Sequence, residues 1–221
     1  SETMQENVDV GLDPAQSSGQ NAILQAAAHL FSEHGFDRVS MRQVAEEAGV
    51  SKANIYHHFK SKSDLYLSIL RESSRHLSEI VDALAEGRGG FNQRIRVFAS
   101  AHLEHLFQDS STVRLLIREA FSGDEEKSRI VAEQIVGGIF DRMVSIFESG
   151  QQAGVLRPDL DPGLCATLLM GGNLFFFQAQ GLLQQIPEAG FARDRNGFSR
   201  QMADVMLSGM LTRENAVGAV K

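Results

Sequence analysis

Apolar positions recur along most of the chain at three- and four-residue intervals, the spacing of a helix face, and no stretch alternates convincingly as a strand would. Ile23, Ala27, Leu30 and Phe31 mark one face of a first helix. It opens at Ser17, where Ser17 and Gln20 stand at capping-box spacing, and stops at Gly35. Ser40 with Gln43 repeats the start signal, and Val44, Ala45 and Ala48 give a short second helix that ends at Gly49. Ser51 is positioned to cap a third helix, in which Ile55 and Phe59 lie four apart and point inward together. Ser61 and Asp64 open a longer fourth helix through about Leu84, closed by the glycines between 87 and 90.

From Phe91 onward the same period predicts helices over 91–108, 112–121, 125–152, 162–184 and 198–213, with a loop at 187–197. Pro162 after Asp161 is a first-turn proline signal. The expectation is an all-α protein: a loose tail over 1–16, a small helical head over 17–63, a larger helical body over 64–214, and a short tail over 215–221.

Composition narrows the function classes. A single cysteine, Cys165, allows no intramolecular disulfide, and no run approaches the roughly 18 to 20 apolar residues of a membrane span. The N-terminal residues lack the basic-then-apolar order of a signal peptide, so a soluble, cytoplasmic protein without membrane partners is expected. The formal net charge of −7 argues against a non-specific coat for polyanions. Yet "SMRQVAEEAGVSKANIYHHFKSK", residues 40–62, sets four lysines and arginines against two glutamates, a local +2 in a chain whose remainder carries −9.

That stretch is the second helix, a Gly49-Val50-Ser51 corner and the third helix: a helix-turn-helix. With Ile55 and Phe59 turned inward, Lys52, Ala53, Asn54, Tyr56 and His57 are left on the outer or N-terminal surface. In such motifs the start of the second helix enters the major groove, where asparagine pairs with adenine, lysine donates to guanine and alanine touches a thymine methyl. Ser51, Tyr56, His58, Lys60 and Lys62 flank that edge with the hydroxyls and positive groups that hold phosphates, and Arg42 suits either task. Tyr56 as a lid on the core, His58 as a helix-end cap and Asn54 bonded to its own helix start are the structural alternatives.

The run "AILQAAAHLFSEHGFDRVSMRQVAEEAGVSKANIYHHFKSKSDLY" resembles the DNA-binding domain of the tetracycline-repressor (TetR) family of bacterial transcription regulators. The resemblance covers residues 19–66 and includes the Ala-Gly-Val-Ser corner, Tyr56, Phe59 and Lys60-Ser61-Lys62. It implies a homodimer with a three-helix DNA-binding head and a helical body that binds a small-molecule effector and releases double-stranded DNA. It implies that Arg42, Lys52, Ala53, Asn54, Tyr56 and His57 face the groove and that Lys62 meets a phosphate. It also implies dimerisation through the last two long helices, 162–184 and 198–213. Met41 departs from the pattern, standing where many members have threonine. The function expected is an effector-responsive regulator, a repressor on a pseudo-palindromic operator.

In the body, Phe98, His102, Leu106, Leu116, Phe121, Ile139, Met143, Met170, Asn173 and Phe177 form a mostly apolar set with a few polar groups, suited to an effector pocket or to solid core. "HLEH" at 102–105 puts two histidines three apart, a spacing helical metal sites use, but no third ligand is identifiable and no metal or cofactor is expected. Two alternatives stand beside the leading reading. One is a DNA-binding dimer without an effector; the other is a metal-dependent enzyme built on His102, Glu104 and His105, for which no nucleophile–base pair or phosphate loop can be assigned.

Overall fold

The structure, a computed structural model, describes the backbone of residues 14–212 and the side chains of 19–126 and 128–212. Ten α-helices span the described residues: α1 (Pro14–His34), α2 (Met41–Ala48), α3 (Lys52–His58), α4 (Lys62–Glu86), α5 (Phe91–Gln108), α6 (Ser110–Ala120), α7 (Glu125–Ile130), α8 (Gly137–Gln152), α9 (Pro162–Leu183) and α10 (Arg195–Met210). The fold is all-α; the extended pairing described is one isolated bridge between Leu156 and Leu211. None of the described helices is long and apolar enough to cross a membrane.

The chain divides between Ile69 and Leu70 into two units, whereas the sequence reading put the boundary at 63/64, at the start of α4. Of the loose tails expected over 1–16 and 215–221, residues 1–13 and 215–221 lie outside the described residues, as does the Ser17 side chain, while 14–16 belong to α1 instead of a loose tail. α1 begins at Pro14, before the Ser17 start signal, because proline at a first helical position needs no partner for a missing N–H.

In the first unit, α1, α2 and α3 close on Ile23, Ala27, Phe31, Val44, Ala45, Ile55 and Phe59, all buried. Sequestering Ile55 and Phe59 contributes about 1.5 to 3 kcal/mol each and fixes which flank of α3 faces outward. Phe31, Phe36 and Tyr66 form a ring cluster with centroids 5.0 to 5.7 Å apart.

The second unit has a core drawn from α4, α5, α8, α9 and α10: Val81, Phe98, Met143, Phe147, Leu169 and Leu207 are among its buried members. Cys165 is buried there, and desolvation pushes its thiol above the ordinary range. Asp161 caps α9 by accepting from the Leu164 N–H at 2.8 Å, and Asp194 caps α10 by accepting from the Gly197 N–H at 2.8 Å. The Asp194 cap starts α10 at Arg195, earlier than the apolar pattern alone places it. Residues 125–152 are one helical course interrupted by a π-helical segment, Val131–Val136. Gly137 closes it: its N–H bonds the Ala132 carbonyl, five residues back, and a Cβ there would sit 2.6 Å from that oxygen.

Candidate nucleic-acid interface and polar sites of the body

The helix-turn-helix is built by short-range hydrogen bonds that its sequence specifies. Ser40 accepts from the Gln43 N–H at 3.2 Å while its own N–H donates to Gln43 Oε1 at 2.8 Å, a complete capping box. Gly49 stops α2 at φ 67°, a left-handed conformation natural to glycine, and its N–H returns to the Ala45 and Glu46 carbonyls. Ser51 then caps α3, accepting from the Asn54 N–H at 3.1 Å.

This corner leaves Arg42, Ser51, Lys52, Ala53, Asn54, Tyr56, His57 and Lys60 exposed and His58 half-buried. The Lys52 ammonium lies 5.8 Å from the centre of the Tyr56 ring, whose residue is 47% exposed, so one cation and one phenol share a patch at the start of α3. Arg42 is paired with Glu46 at 2.8 Å on α2, which raises its pKa, first through that hydrogen bond. The pair is exposed, so a phosphate can replace Glu46 as partner. Met41 is buried, its side chain part of the head's core instead of a polar contact.

Lys62 is held differently from its neighbours. Its ammonium donates to the carbonyls of Phe36 at 2.8 Å and Val39 at 3.0 Å and lies 4.3 Å from the Phe36 ring centre. At the first position of α4 the side chain points back toward the helix N-terminus, which brings it to the loop between α1 and α2. Lys62 therefore braces the head, with donor capacity to spare for one further acceptor.

In the body, the ten residues expected to line a pocket are distributed over two apolar clusters, a buried His102–Asn173 contact and more exposed positions. Phe98, Ile139 and Met143 are buried in the main core with Met170 against it, while Leu106 and Phe177 belong to a separate apolar cluster. Leu116 is half-buried. Phe121 requires a correction: it ends α6, where the chain leaves the helix, and at 76% exposed it walls no interior space. Open clefts among the described residues include three of about 570, 380 and 460 Å³. Of the ten, Phe98 lines the second of these three. The first, bordered by Val81, Phe91 and Ile146 with the guanidinium groups of Arg94 and Arg142, has no counterpart in the sequence reading, because its walls come from α4, α5 and α8.

The two histidines of "HLEH" separate. His102 stacks on Phe98 and meets Asn173 of α9, whose Nδ2 donates to the Ala99 carbonyl at 2.8 Å and lies 3.3 Å from His102 Nδ1. Burial, helped by nearby His105, pushes the His102 pKa down to about 3, so the ring is neutral. His105 turns toward α4 and the α5–α6 corner, where His76 and Asp109 wait. Burial lowers its pKa too, offset in part by the Asp109 charge. Glu104 is exposed and accepts from the Gln108 amide, so His102, Glu104 and His105 make no common site.

α9 and α10 carry an exposed apolar face. Leu164, Leu168, Phe175 and Leu182 follow one another along α9 at 52%, 52%, 67% and 69% exposure, and Val205 of α10 is 74% exposed. A Cβ at Gly171 or Gly181 would meet nothing within 4 Å, while Gly172 is approached by Met202 of α10.

Residues 23–69 match the family model described as bacterial regulatory proteins, tetR family. The chain is 28% identical over 125 residues to the transcriptional activator FasR of Mycolicibacterium smegmatis, covering 54% of this chain and 56% of that protein. It is 26% identical over 156 residues to the transcriptional repressor KstR2 of Mycobacterium tuberculosis, covering 67% of this chain and 74% of the relative. A solved SmeT–triclosan complex shares the fold with a TM-score of 0.68 at 18% identity, across 89% of this chain and 93% of that one.

Proposed function

We propose, from the premise that the chain belongs to the tetracycline-repressor (TetR) family of bacterial transcriptional regulators, that it is a homodimeric repressor which binds a pseudo-palindromic operator and is released by a small molecule. The chain is a regulator and not an enzyme. The observation that carries the reading is the outward flank of α3, where Lys52, Ala53, Asn54, Tyr56 and His57 are all exposed on a helix anchored by buried Ile55. Lys52 and Asn54 supply groove donors, and Ser51, His58, Lys60 and Arg42 border them with phosphate partners.

Two copies joined through the apolar face of α9 and α10 bring two heads to one duplex, and a pseudo-palindromic operator offers them half-sites on successive major grooves, about 34 to 36 Å apart. Repression follows most simply, because a dimer covering both half-sites obstructs what must load there. Effector binding in the body is supported by clefts of about 380 to 570 Å³, within the usual range for small-molecule sites. Release requires that the effector prefer a body state whose heads are wrongly spaced; a difference on the order of 1 to 3 kcal/mol suffices. The SmeT–triclosan complex is a precedent for a small molecule on this fold.

Anisotropy titration of the full chain against its own upstream DNA tests the reading. A preference of about a thousandfold or more over random duplex, weakening steeply with salt, is expected. Equal affinity for both duplexes overturns it.

A further inference from the structure

His76 on α4, His105 in the last turn of α5 and Asp109 at the corner before α6 bring three ligating atoms together in the body. Asp109 Oδ2 lies 3.0 Å from His76 Nδ1 and 2.9 Å from His105 Nδ1, and the atoms all fall within 4.8 Å of one another. The two imidazoles stand nearly edge to face, 4.7 Å apart at 72°.

Hydrogen bonding alone accounts poorly for this cluster. The His105 side chain is 2% exposed, and its Nδ1, although 2.9 Å from Asp109 Oδ2, makes no aligned hydrogen bond to it. If that nitrogen carries a lone pair, it faces a carboxylate oxygen across van der Waals distance; if it carries a proton, the bond is wasted by its angle. A cation between the three atoms removes the conflict, since each then directs a lone pair at positive charge.

We propose that His76, His105 and Asp109 form a binding site for one divalent transition-metal ion of the zinc class. Ligands held about 2.1 Å from a common ion stand about 3.0 to 3.4 Å apart in octahedral or tetrahedral arrangements; the two separations from Asp109 already approach this, and the histidine nitrogens, within 4.8 Å of each other, close on the ion as it binds. Two imidazoles and a carboxylate select zinc, nickel or cobalt over magnesium and calcium, which take oxygen ligands. His76 and Asp109 have side chains 42% and 39% exposed, leaving the outer side of the ion open to water or another donor. Glu72, one turn before His76 on α4, adds negative charge near Asp109, while Arg75 holds it by two hydrogen bonds at 3.1 and 2.5 Å. The ion fastens the body part of α4 to the α5–α6 corner. This pairing differs from the His102–His105 spacing in the sequence, because His102 is engaged with Asn173.

The test uses untagged full chain, stripped with chelator and titrated with Co²⁺, with Zn²⁺ as competitor. Expected are one equivalent of Co²⁺ with visible d–d absorption, its displacement by Zn²⁺, and about tenfold or greater weakening in His76→Gln and in Asp109→Asn. Both substitutions fall at partly exposed positions, and circular dichroism checks that the helices persist. The double variant H29Q/H34Q, which removes two exposed histidines of α1, must bind Co²⁺ as the parent does. Absence of the Co²⁺ spectrum, or a spectrum that survives H76Q and D109N, overturns the proposal.

Discussion

The Asn173 amide and the His102 imidazole face each other at 3.3 Å with both residues buried, joining α9 to α5 by a polar contact inside an apolar core. Their chemistry makes folding sensitive to acid. The His102 pKa is depressed to about 3 in the folded chain, below its unfolded value of about 6.5, so its contribution is full above about pH 6.5 and declines as pH falls toward 3. Below about pH 6 stability should fall by up to about 1.4 kcal/mol per pH unit from this residue. Urea unfolding of the parent and of His102→Asn at pH 7.5 and pH 5 checks it: the variant should lose less on acidification, and parallel losses would exclude His102 as the cause.

The corner of the head depends on one backbone angle. Gly49 sits at φ 67°, so Gly49→Val should destabilise the head by about 1 to 2 kcal/mol and lower its melting midpoint. An unchanged midpoint would mean that the corner relaxes without consequence.

Two nearby residues of the head should separate affinity from specificity. Lys60→Ala, at an exposed position assigned to phosphate, should weaken binding to every duplex and reduce the salt slope by about one, whereas Asn54→Ala should relax one base position by about 1 to 3 kcal/mol. Anisotropy titrations against a panel of single-base operator variants distinguish the two.

Lys62 serves two ends. Lys62→Met removes the bonds to Phe36 and Val39, so thermal stability should drop by about 1.5 to 3 kcal/mol for each charged hydrogen bond not replaced by water, along with DNA affinity. A variant that loses affinity at unchanged midpoint would assign the residue to phosphate alone.

Phe175→Asp places a charge in the middle of the exposed α9 stripe and should leave a folded monomer, read by sedimentation velocity. Persistence of a dimer would move the interface elsewhere.

What the sequence made legible was local. Ser40 with Gln43, Gly49 and Ser51 act within four residues of themselves, so their spacing states their bonds. Lys62 reads as a surface cation because its acceptors, Phe36 and Val39, lie 26 and 23 residues away. His105 reads as a companion of His102, but its neighbour His76 belongs to another helix. The Asp109 spacing, four residues after His105, was the readable clue to that corner. The cleft beside Arg94 and Arg142 is assembled from segments distant in sequence, which no periodicity reports.

The wide turn at Val131–Val136 resets the angular count of its helix. Each residue of an α-helix advances about 100°, so one surplus residue turns everything before it by about that much relative to everything after. Relatives lacking the bulge would align across it only with a one-residue gap, and an alignment forced through without one would assign solvent positions of α7 to the interior.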